Sequence, residues 1–334
     1  PLEALVSSTS CESSSGIAEK STKPLLPCRG ALEWSLVPAN APAYIRPAFT
    51  IDRETRRTML KLGCMSLSYK DEFAAGTLDL DGFIDRAHGL RLDGIDLHTR
   101  AFASEDPAYL RSIRMHALKK GIALSYIGVS SNFGVPAGDK LDEQVTTARH
   151  WIDVAHFMGI PMVRVFAAWV PEGDTEEAVY ERMMPCLKEV AAYGQEKGIV
   201  LGLHNHNHGC VTRTGKDVRR IIDGVDNPYF SHILDTGQYV GSPGASGARG
   251  TEDPSLNFYG SIEETAPLAV HVRCKIYRIQ SGTEEWLDYP RIMDILKGVD
   301  YNGWCSIVYE GQDAEAEATA VPKAATYLRS LMDW

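Results

Sequence analysis

The chain has 334 residues, of which 44% are hydrophobic and 23% are charged, an ordinary composition for a globular protein with a sizeable core. Its formal net charge is −10, and acidic and basic residues are mixed along the sequence without a Lys/Arg run. This balance argues against a nucleic-acid partner, which would need a basic surface, and it suits a protein that collects a cation.

The seven cysteines are scattered along the sequence without a CxxC pair. An odd number, with four of them in or beside predicted strands, indicates reduced thiols in a cytosol-like compartment. No apolar run approaches the ~18 residues that a membrane span requires. The N-terminus also lacks the charged-then-apolar layout of a secretory signal. We therefore expect a cytoplasmic protein that does not contact a membrane.

Residues 1–58 differ in character from the rest of the chain. Their first part, PLEALVSSTSCESSSGIAEKSTKP, is rich in serine and has no sustained period, and prolines recur at Pro38, Pro42 and Pro47. This composition predicts a poorly ordered N-terminal extension over 1–58, distinct from a folded domain over 59–334.

From residue 59 onward, short β-rich runs alternate with amphipathic stretches. The predicted strands cover 60–67, 94–98, 123–129, 162–167, 199–204, 231–235, 269–275 and 304–310. The stretches between them carry apolar residues at i, i+3 and i+4, and several end at Gly, which is typical of helices. This alternation predicts a single-domain α/β fold, the (β/α)8 TIM barrel. A doubly wound open sheet would need a Gly-rich phosphate turn, and GxGxxG is absent.

The segment after the sixth predicted strand, QYVGSPGASGARGTEDPSLN, is long and rich in Gly and Ser. At the active-site face of a barrel such a loop commonly works as a lid or a specificity element. A tolerated surface insertion is an equally good interpretation.

Ionisable side chains recur at the ends of four consecutive predicted strands, where barrel enzymes carry their catalytic groups. Taken singly, each has a structural explanation as a loop cap, a surface ion pair or a core histidine. Taken together, they favour a catalytic metal site, because His with Asp or Glu suits Mn, Fe, Co, Zn or Mg. We expect Mn²⁺ foremost. The candidate ligands at these strand ends are His204, His206, Asp235, His271 and Glu310.

Three motifs on these strands resemble the xylose isomerase-like barrel superfamily. They are Asp235-Thr236-Gly237 after a hydrophobic strand, His271 in a V-H-V strand followed by Lys275, and the final Tyr309-Glu310-Gly311. The resemblance covers essentially residues 59–334. It implies that Asp235, His271 and Glu310 are metal ligands.

Position 204 departs from the superfamily's pattern. The epimerases of this group place a Glu there that binds metal and moves protons, and this chain has His204. One imidazole, one carboxylate and a Lewis acid suit removal of an α-proton and loss of a β-leaving group. Inosose dehydratases work in this way. The HNHNH run and the chain length also resemble the catalytic subunits of C-glycoside deglycosidases, which act on 3-oxo-glycosides.

These resemblances lead to a metal-dependent lyase acting on a keto-sugar or 3-oxo-glycoside. We expect His206 as the base and His204 as a ligand, with Lys275 and Glu310 completing the catalytic groups. A sugar isomerase or epimerase of the same superfamily is the alternative. We further expect a homo-oligomer, to which the deglycosidase resemblance adds the option of a small second subunit.

Five further side chains are candidates for binding a sugar or glycoside. Arg164 on strand four would hold substrate oxygens, although a barrel-interior ion pair explains it equally well. The others would contact sugar hydroxyls or stack on the substrate, with ordinary loop packing as the competing explanation. They are His98, Asn132, Trp169 and Tyr239.

Two other classes stay open at this point. An endonuclease IV-like enzyme would need a three-metal cluster and a basic face, and the acidic chain shows neither. A non-catalytic binding protein on the same barrel would show no stabilisation by metal.

Overall fold

Eight parallel strands close into a barrel in the computed structural model, which describes residues 59–245 and 248–332. Each strand pairs with its neighbours in chain order, and β8 returns to β1. The strands are β1 (Lys61–Met65), β2 (Gly94–His98), β3 (Ala123–Gly128), β4 (Met162–Val165), β5 (Val200–His204), β6 (Phe230–Asp235), β7 (Ala269–Ile276) and β8 (Trp304–Tyr309). The predicted (β/α)8 fold is confirmed, whereas the predicted extension over 1–58 lies outside the described residues.

Helices return the chain from the end of each strand to the start of the next. Three of them stop at the glycines 121, 159 and 198, which adopt left-handed φ values of 68°, 70° and 72°. The helices are α1 (Lys70–Ala74), α2 (Leu80–Gly89), α3 (Pro107–Lys120), α4 (Asp139–Met158), α5 (Glu176–Lys197), α6 (Gly215–Val225), α7 (Phe258–Thr265), α8 (Tyr289–Gly298) and α9 (Glu317–Leu331). No helix in the described ranges combines the length and apolar character needed to cross a membrane.

The apolar core has two parts, as expected for strands buried on both faces. The larger part fills the space between the strands and the surrounding helices. The smaller part fills the barrel interior, and it consists of Met65, Tyr126, Met162, Ile233 and Val308. The five cysteines within the described residues are buried and free. The interior layer forms the floor beneath the barrel mouth.

Register within the barrel sets the height of every inward side chain. Alternation along β7 turns the side chains of His271, Arg273 and Lys275 inward. The Cα partner of His271 is Ile233, whereas the Cα partner of Arg273 is Asp235 at the end of β6. His271 therefore lies one pleat below the strand ends, and Arg273 and Lys275 lie at the mouth.

A buried polar pair lies under the mouth. His271 Nε2 lies 3.3 Å from Asp96 Oδ2, and both side chains are inaccessible to solvent. The Ser125 hydroxyl donates to the same carboxylate, and the Tyr126 ring packs edge-on to the imidazole at 4.9 Å. Although burial acts to raise it, His271 holds the pKa of Asp96 below its ordinary value. This pair belongs to the barrel interior.

The close packing of β2, β3 and β8 around Gly94 can be tested by substitution. A Cβ on Gly94 would lie 2.6 Å from the Ala123 carbonyl oxygen and 2.6 Å from the Trp304 ring. We expect Gly94→Ala to lower the free energy of unfolding by about 1–3 kcal/mol, because overpacking forces the backbone apart. Gly89→Ala is the control, since no atom lies within 4 Å of its Cβ. Urea unfolding measures both, and equal midpoints for the two variants would contradict the packing argument.

Candidate active site

A cavity of about 230 Å³ opens at the carboxyl ends of the strands. Such a volume falls below the ~300–1,000 Å³ typical of drug-sized ligand sites, so the cavity suits a small molecule. Three imidazoles line it, from His98, His204 and His206. Its charged lining side chains are Arg100, Arg164, Arg273, Lys275 and Glu310.

A larger cavity of about 590 Å³ lies against the loop that follows β6. Small and apolar side chains form most of its described lining, and the titratable ones there are Glu252 and Asp253. No cation or imidazole of the described lining faces these two carboxylates. Groups suited to proton transfer therefore converge in the smaller cavity.

Asp235, at the end of β6, is the hub of the site. Its Oδ2 atom lies 3.2 Å from His204 Nε2, 3.0 Å from Arg273 Nε and 3.2 Å from Lys275 Nζ. Its Oδ1 atom accepts the backbone N–H of Gly237 at 3.0 Å. Four donors thus surround a carboxylate that has no solvent exposure.

The residues next to Asp235 fix its position. The Asn205 side chain donates to the Asp235 carbonyl oxygen at 3.0 Å and accepts the Asp235 N–H at 2.8 Å. The Thr236 hydroxyl accepts the backbone N–H of Lys275 at 3.0 Å. A Cβ on Gly237 would lie 2.6 Å from the Lys275 side chain, so the glycine leaves room for that side chain to reach the site.

Lys275 links the hub to the open end of the cavity. Its Nζ atom lies 2.5 Å from Glu310 Oε1, and the Glu310 side chain is 38% exposed whereas that of Lys275 is 1% exposed. Gln238 donates to the other Glu310 oxygen at 3.4 Å. Two cations and two carboxylates, those of Arg273, Lys275, Asp235 and Glu310, therefore form one cluster with no net charge.

Burial and neighbouring cations set the protonation of the site. Burial lowers the pKa of His206 to about 3, with His208 and Lys275 adding to the effect. Burial, helped by Arg164, likewise lowers the pKa of His98 to about 3. Burial and Arg273 bring the pKa of His204 well below its ordinary value. All three imidazoles are consequently neutral at pH 7.

Asp235 stays charged, in contrast to the three neutral histidines. Burial alone would raise its pKa, but the charge of Lys275, the hydrogen bond from His204 and the charge of Arg273 hold that pKa far below its ordinary value. Asp235 is therefore an anion throughout the physiological pH range.

The side chains of the HNHNH run point in different directions. His204 is buried, His206 is half-buried at the cavity, and His208 is exposed. The backbone N–H of His208 donates to His206 Nδ1 at 3.3 Å. A neutral His206 bonded in this way carries its proton on Nε2, so it is a hydrogen-bond donor there.

The four predicted metal ligands do not converge on one point. Asp235 Oδ2 already has hydrogen bonds from His204 and Arg273 and forms an ion pair with Lys275, whose ammonium group lies between the carboxylates of Asp235 and Glu310. His271 lies a pleat lower, against Asp96. No group of three or more His, Cys, Asp or Glu side chains in the described part of the chain is spaced to hold a metal ion. The residues present do not fit the expected divalent cation, because protein cations lie where it would bind.

Three of the five predicted substrate-binding side chains lie at or beside the cavity. His98 and Arg164 line it. The Trp169 ring is half-buried, with its centroid 5.7 Å from that of His206. The interior ion pair considered for Arg164 is not present among the described residues, since the guanidinium instead donates to the Val129 carbonyl oxygen at 3.1 Å.

The other two predicted contacts need correction. The Asn132 side-chain oxygen accepts the backbone N–H groups of Gly134 and Trp169, both at 3.0 Å, so it shapes a loop. The Tyr239 side chain is fully buried, and its hydroxyl lies 2.8 Å from Thr265 Oγ1. A Gly-rich sequence around Tyr239 suggested an exposed loop, but tertiary packing covers its first residues.

Sequence reasoning missed Arg273, a direct partner of Asp235. Alternation was the available signal, because period two places positions 271, 273 and 275 on one face of β7. Gln238 and Phe166 also line the cavity without having been predicted. They follow β6 and β4 as ordinary loop residues, and nothing in the sequence pattern distinguishes them.

Comparison with known families gives one match that covers most of the chain. The model of the xylose isomerase-like TIM barrel family matches residues 84–331. A search of curated proteins finds no match.

Solved structures share the fold at low sequence identity. A D-psicose 3-epimerase with D-tagatose from Clostridium cellulolyticum H10 has a TM-score of 0.66 at 16% identity, over 82% of this chain and 100% of that one. A 3-keto-D-glucoside 4-epimerase from E. coli has a TM-score of 0.63 at 16% identity, over 81% and 99%. A xylose isomerase domain protein from Planctomyces limnophilus has a TM-score of 0.58 at 13% identity, over 83% and 97%. At such identities the likeness concerns the fold.

The two cations beside Asp235, Arg273 and Lys275, predict weak metal binding. We expect the chelator-treated wild-type protein to take up no stoichiometric Mn²⁺ and to show no change in melting temperature when Mn²⁺ is added. The double variant Arg273→His/Lys275→Met removes both cations and adds an imidazole beside Asp235, so it should gain Mn²⁺ affinity. Elemental analysis after gel filtration measures the bound metal. One tightly bound equivalent in the wild type, lost in Asp235→Asn, would refute the assignment.

The buried position of Asp235 predicts a large loss of stability when its charge is removed. Asp235→Asn should lower the free energy of unfolding by about 3–5 kcal/mol, because Arg273 then lacks a buried counter-charge. Asp153→Asn is the matched control. Its carboxylate is 49% exposed and pairs with Lys197 at 3.1 Å, so the expected cost is about 0–1 kcal/mol. Chemical denaturation measures the free energy of unfolding of both variants. Similar losses would show that the charge of Asp235 contributes little to stability.

Proposed function

Because this chain belongs to the family of xylose isomerase-like TIM barrels, we propose that it is a carbohydrate isomerase or epimerase acting on a small keto-sugar. The observation that carries the proposal is the Lys275 ammonium group, held between Asp235 and Glu310 at the cavity. The names of the matching epimerases support this choice of reaction class.

Sugar isomerisation and epimerisation both begin with loss of a proton from the carbon next to a carbonyl. The difficulty is the negative charge that develops on the carbonyl oxygen. A fixed cation in a site shielded from water stabilises that charge without reorganising. Lys275 and Arg273 supply two such cations, and Asp235 keeps both in place. In this proposal they take the role that the sequence resemblance gave to a metal ion.

Glu310 is the proposed base. Lys275 binds its Oε1, while Oε2 has only the long contact from Gln238 at 3.4 Å. That oxygen keeps a lone pair directed to an open part of the cavity, because the Glu310 side chain is 38% exposed. A carboxylate with one oxygen held and the other accessible is well placed to accept a proton from carbon.

His206 has a different proposed role from the one its sequence position suggested. Its Nδ1 accepts a backbone hydrogen bond, so its Nε2–H is the group that can meet a substrate oxygen. A neutral imidazole acting as donor stabilises an enolate oxygen without a formal charge. His204 is likewise engaged, since its Nε2 faces Asp235.

The reaction conserves every proton. Glu310 takes the α-proton as the C–H electron pair moves to form the enediolate, and the oxygen anion is held by Lys275 and the His206 N–H. The proton then returns from Glu310 to the former carbonyl carbon, while the hydroxyl proton of the enediolate passes through the His206 imidazole to the former carbonyl oxygen, which gives the isomer. For the epimer, a solvent water molecule protonates the same carbon on its opposite face, and the hydroxide that remains takes the proton from Glu310.

The lyase expected from position 204 has less support than the isomerase or epimerase. That expectation relied on His204 as a metal ligand and His206 as a base, and neither imidazole has the corresponding contacts. Elimination would release a dehydrated keto-sugar from the same enediolate. Product identity therefore separates the two reactions.

Turnover in deuterated water tests the proposal. With a panel of ketoses and 3-oxo-glucosides, we expect deuterium at the carbon next to the carbonyl, and a product of unchanged mass apart from the label. Glu310→Gln should lower kcat by about 10²–10⁴-fold, the usual contribution of a positioned base. NMR and mass spectrometry identify the product. A dehydrated product would move the assignment to the lyase.

Variants of His206 and His208 test whether His206 alone takes part in the reaction. His206→Asn should lower kcat because a donor to the enediolate is displaced. His208→Asn should leave kcat close to the wild-type value, because that side chain is exposed. Wild-type kcat in both Glu310→Gln and His206→Asn would exclude this catalytic assignment.

A further inference from the structure

We propose that the substrate carries a compact anionic group, a carboxylate or a phosphoryl group, which binds the Arg164 guanidinium on the side of the cavity opposite Glu310. This inference names the substrate class for the proposed function and rests on it.

Arg164 is a buried cation without a counter-ion. It is 2% exposed, and no carboxylate of the described residues lies within ion-pair distance of it. Its Nη1 donates to the Val129 carbonyl oxygen at 3.1 Å, and its Nε atom has no hydrogen-bond partner. A buried guanidinium with a free donor is costly unless a ligand satisfies it.

Its surroundings hold the guanidinium in place without neutralising it. The Arg164 Cζ atom lies 4.3 Å from the centre of the Phe166 ring, a cation–π contact. A Cβ on Gly128 would lie 2.9 Å from Arg164 Nη2, so that glycine provides the space that the guanidinium occupies. Burial, with a contribution from Arg273, lowers the pKa of Arg164 to about 9, which leaves it protonated at pH 7.

Charges around the cavity do not balance. The cluster of Arg273, Lys275, Asp235 and Glu310 is neutral, and Arg164 lies outside it. Arg164 therefore adds a positive charge that the described lining does not compensate. Arg100 at the rim adds another. An anionic ligand supplies the missing negative charge.

The strand order of the barrel places Arg164 and Glu310 on opposite sides of the cavity. Arg164 is on β4 and Glu310 follows β8, and strands four positions apart in a closed ring of eight face each other across the mouth. A ligand with its anion on Arg164 thus presents its other end to Lys275 and Glu310. Ser130 follows β3, the neighbour of β4, and its hydroxyl, 3.3 Å from His98 Nε2, offers a donor for the same anionic group.

Three ketoses that differ only at carbon six provide the binding test. D-Fructose carries a hydroxymethyl group there, D-fructuronate a carboxylate and D-fructose 6-phosphate a phosphoryl group. Isothermal titration of the wild-type protein should give a dissociation constant about 10–100-fold lower for one or both acids than for fructose, as expected for charge-assisted hydrogen bonds. The tighter acid identifies the anion. Equal affinities for all three overturn the inference.

Variants assign the preference to Arg164. Arg164→Gln should abolish the preference, so that both acids bind no more tightly than fructose. Gly128→Ala, which keeps the charge but crowds Nη2, should weaken binding of the acid alone. Arg291→Gln is the control, because that guanidinium is exposed and lies 3.7 Å from Glu263. A preference that survives in Arg164→Gln overturns the inference.

A stability measurement distinguishes a ligand-binding Arg164 from a structural one. Removing an uncompensated buried charge should raise the melting temperature of ligand-free Arg164→Gln, whereas loss of a structural arginine would lower it. A lower melting temperature therefore counts against the proposal. Binding needs no turnover, so selective binding without deuterium exchange would refute the proposed reaction and keep the anion site.

Discussion

Four N–H groups around the buried carboxylate of Asp235, three that donate hydrogen bonds and the Lys275 ammonium group, are the constraint on which the site depends. A carboxylate without solvent contact is stable only where its charge is matched, and Arg273 and Lys275 supply that match. The two cations need the carboxylate in turn, because each would be equally costly to bury alone. The contact from Lys275 to Glu310 extends the arrangement from the interior to the open cavity.

The barrel's register explains why these groups meet. Parallel strands end at the same edge, and period-two alternation turns every second side chain inward. Asp235 and Arg273 are Cα partners, whereas His271 pairs with Ile233 one pleat lower. A difference of two residues along β7 therefore separates a barrel-interior histidine, paired with Asp96, from a cation that contacts Asp235 at the mouth of the barrel.

Stability and function make different demands on the two buried arginines. Arg273 is compensated by Asp235, while Arg164 has only a carbonyl oxygen, an aromatic ring and a free Nε–H. Interior packing alone does not explain an uncompensated buried charge, since an apolar side chain of similar size would be less costly there. A binding role explains it, because a ligand anion would supply the missing partner.

Sequence periodicity by itself determined the fold, because eight short apolar runs alternating with amphipathic stretches have few other compact arrangements. It also located the edge of the barrel where His204, Asp235, Lys275 and Glu310 converge, since strand ends in a barrel share one face. Only the tertiary structure decided which of those groups contact one another. The partner of a carboxylate depends on register between strands far apart in sequence, so the positions of Arg273 beside Asp235 and of His271 beneath them could not be read from either strand alone.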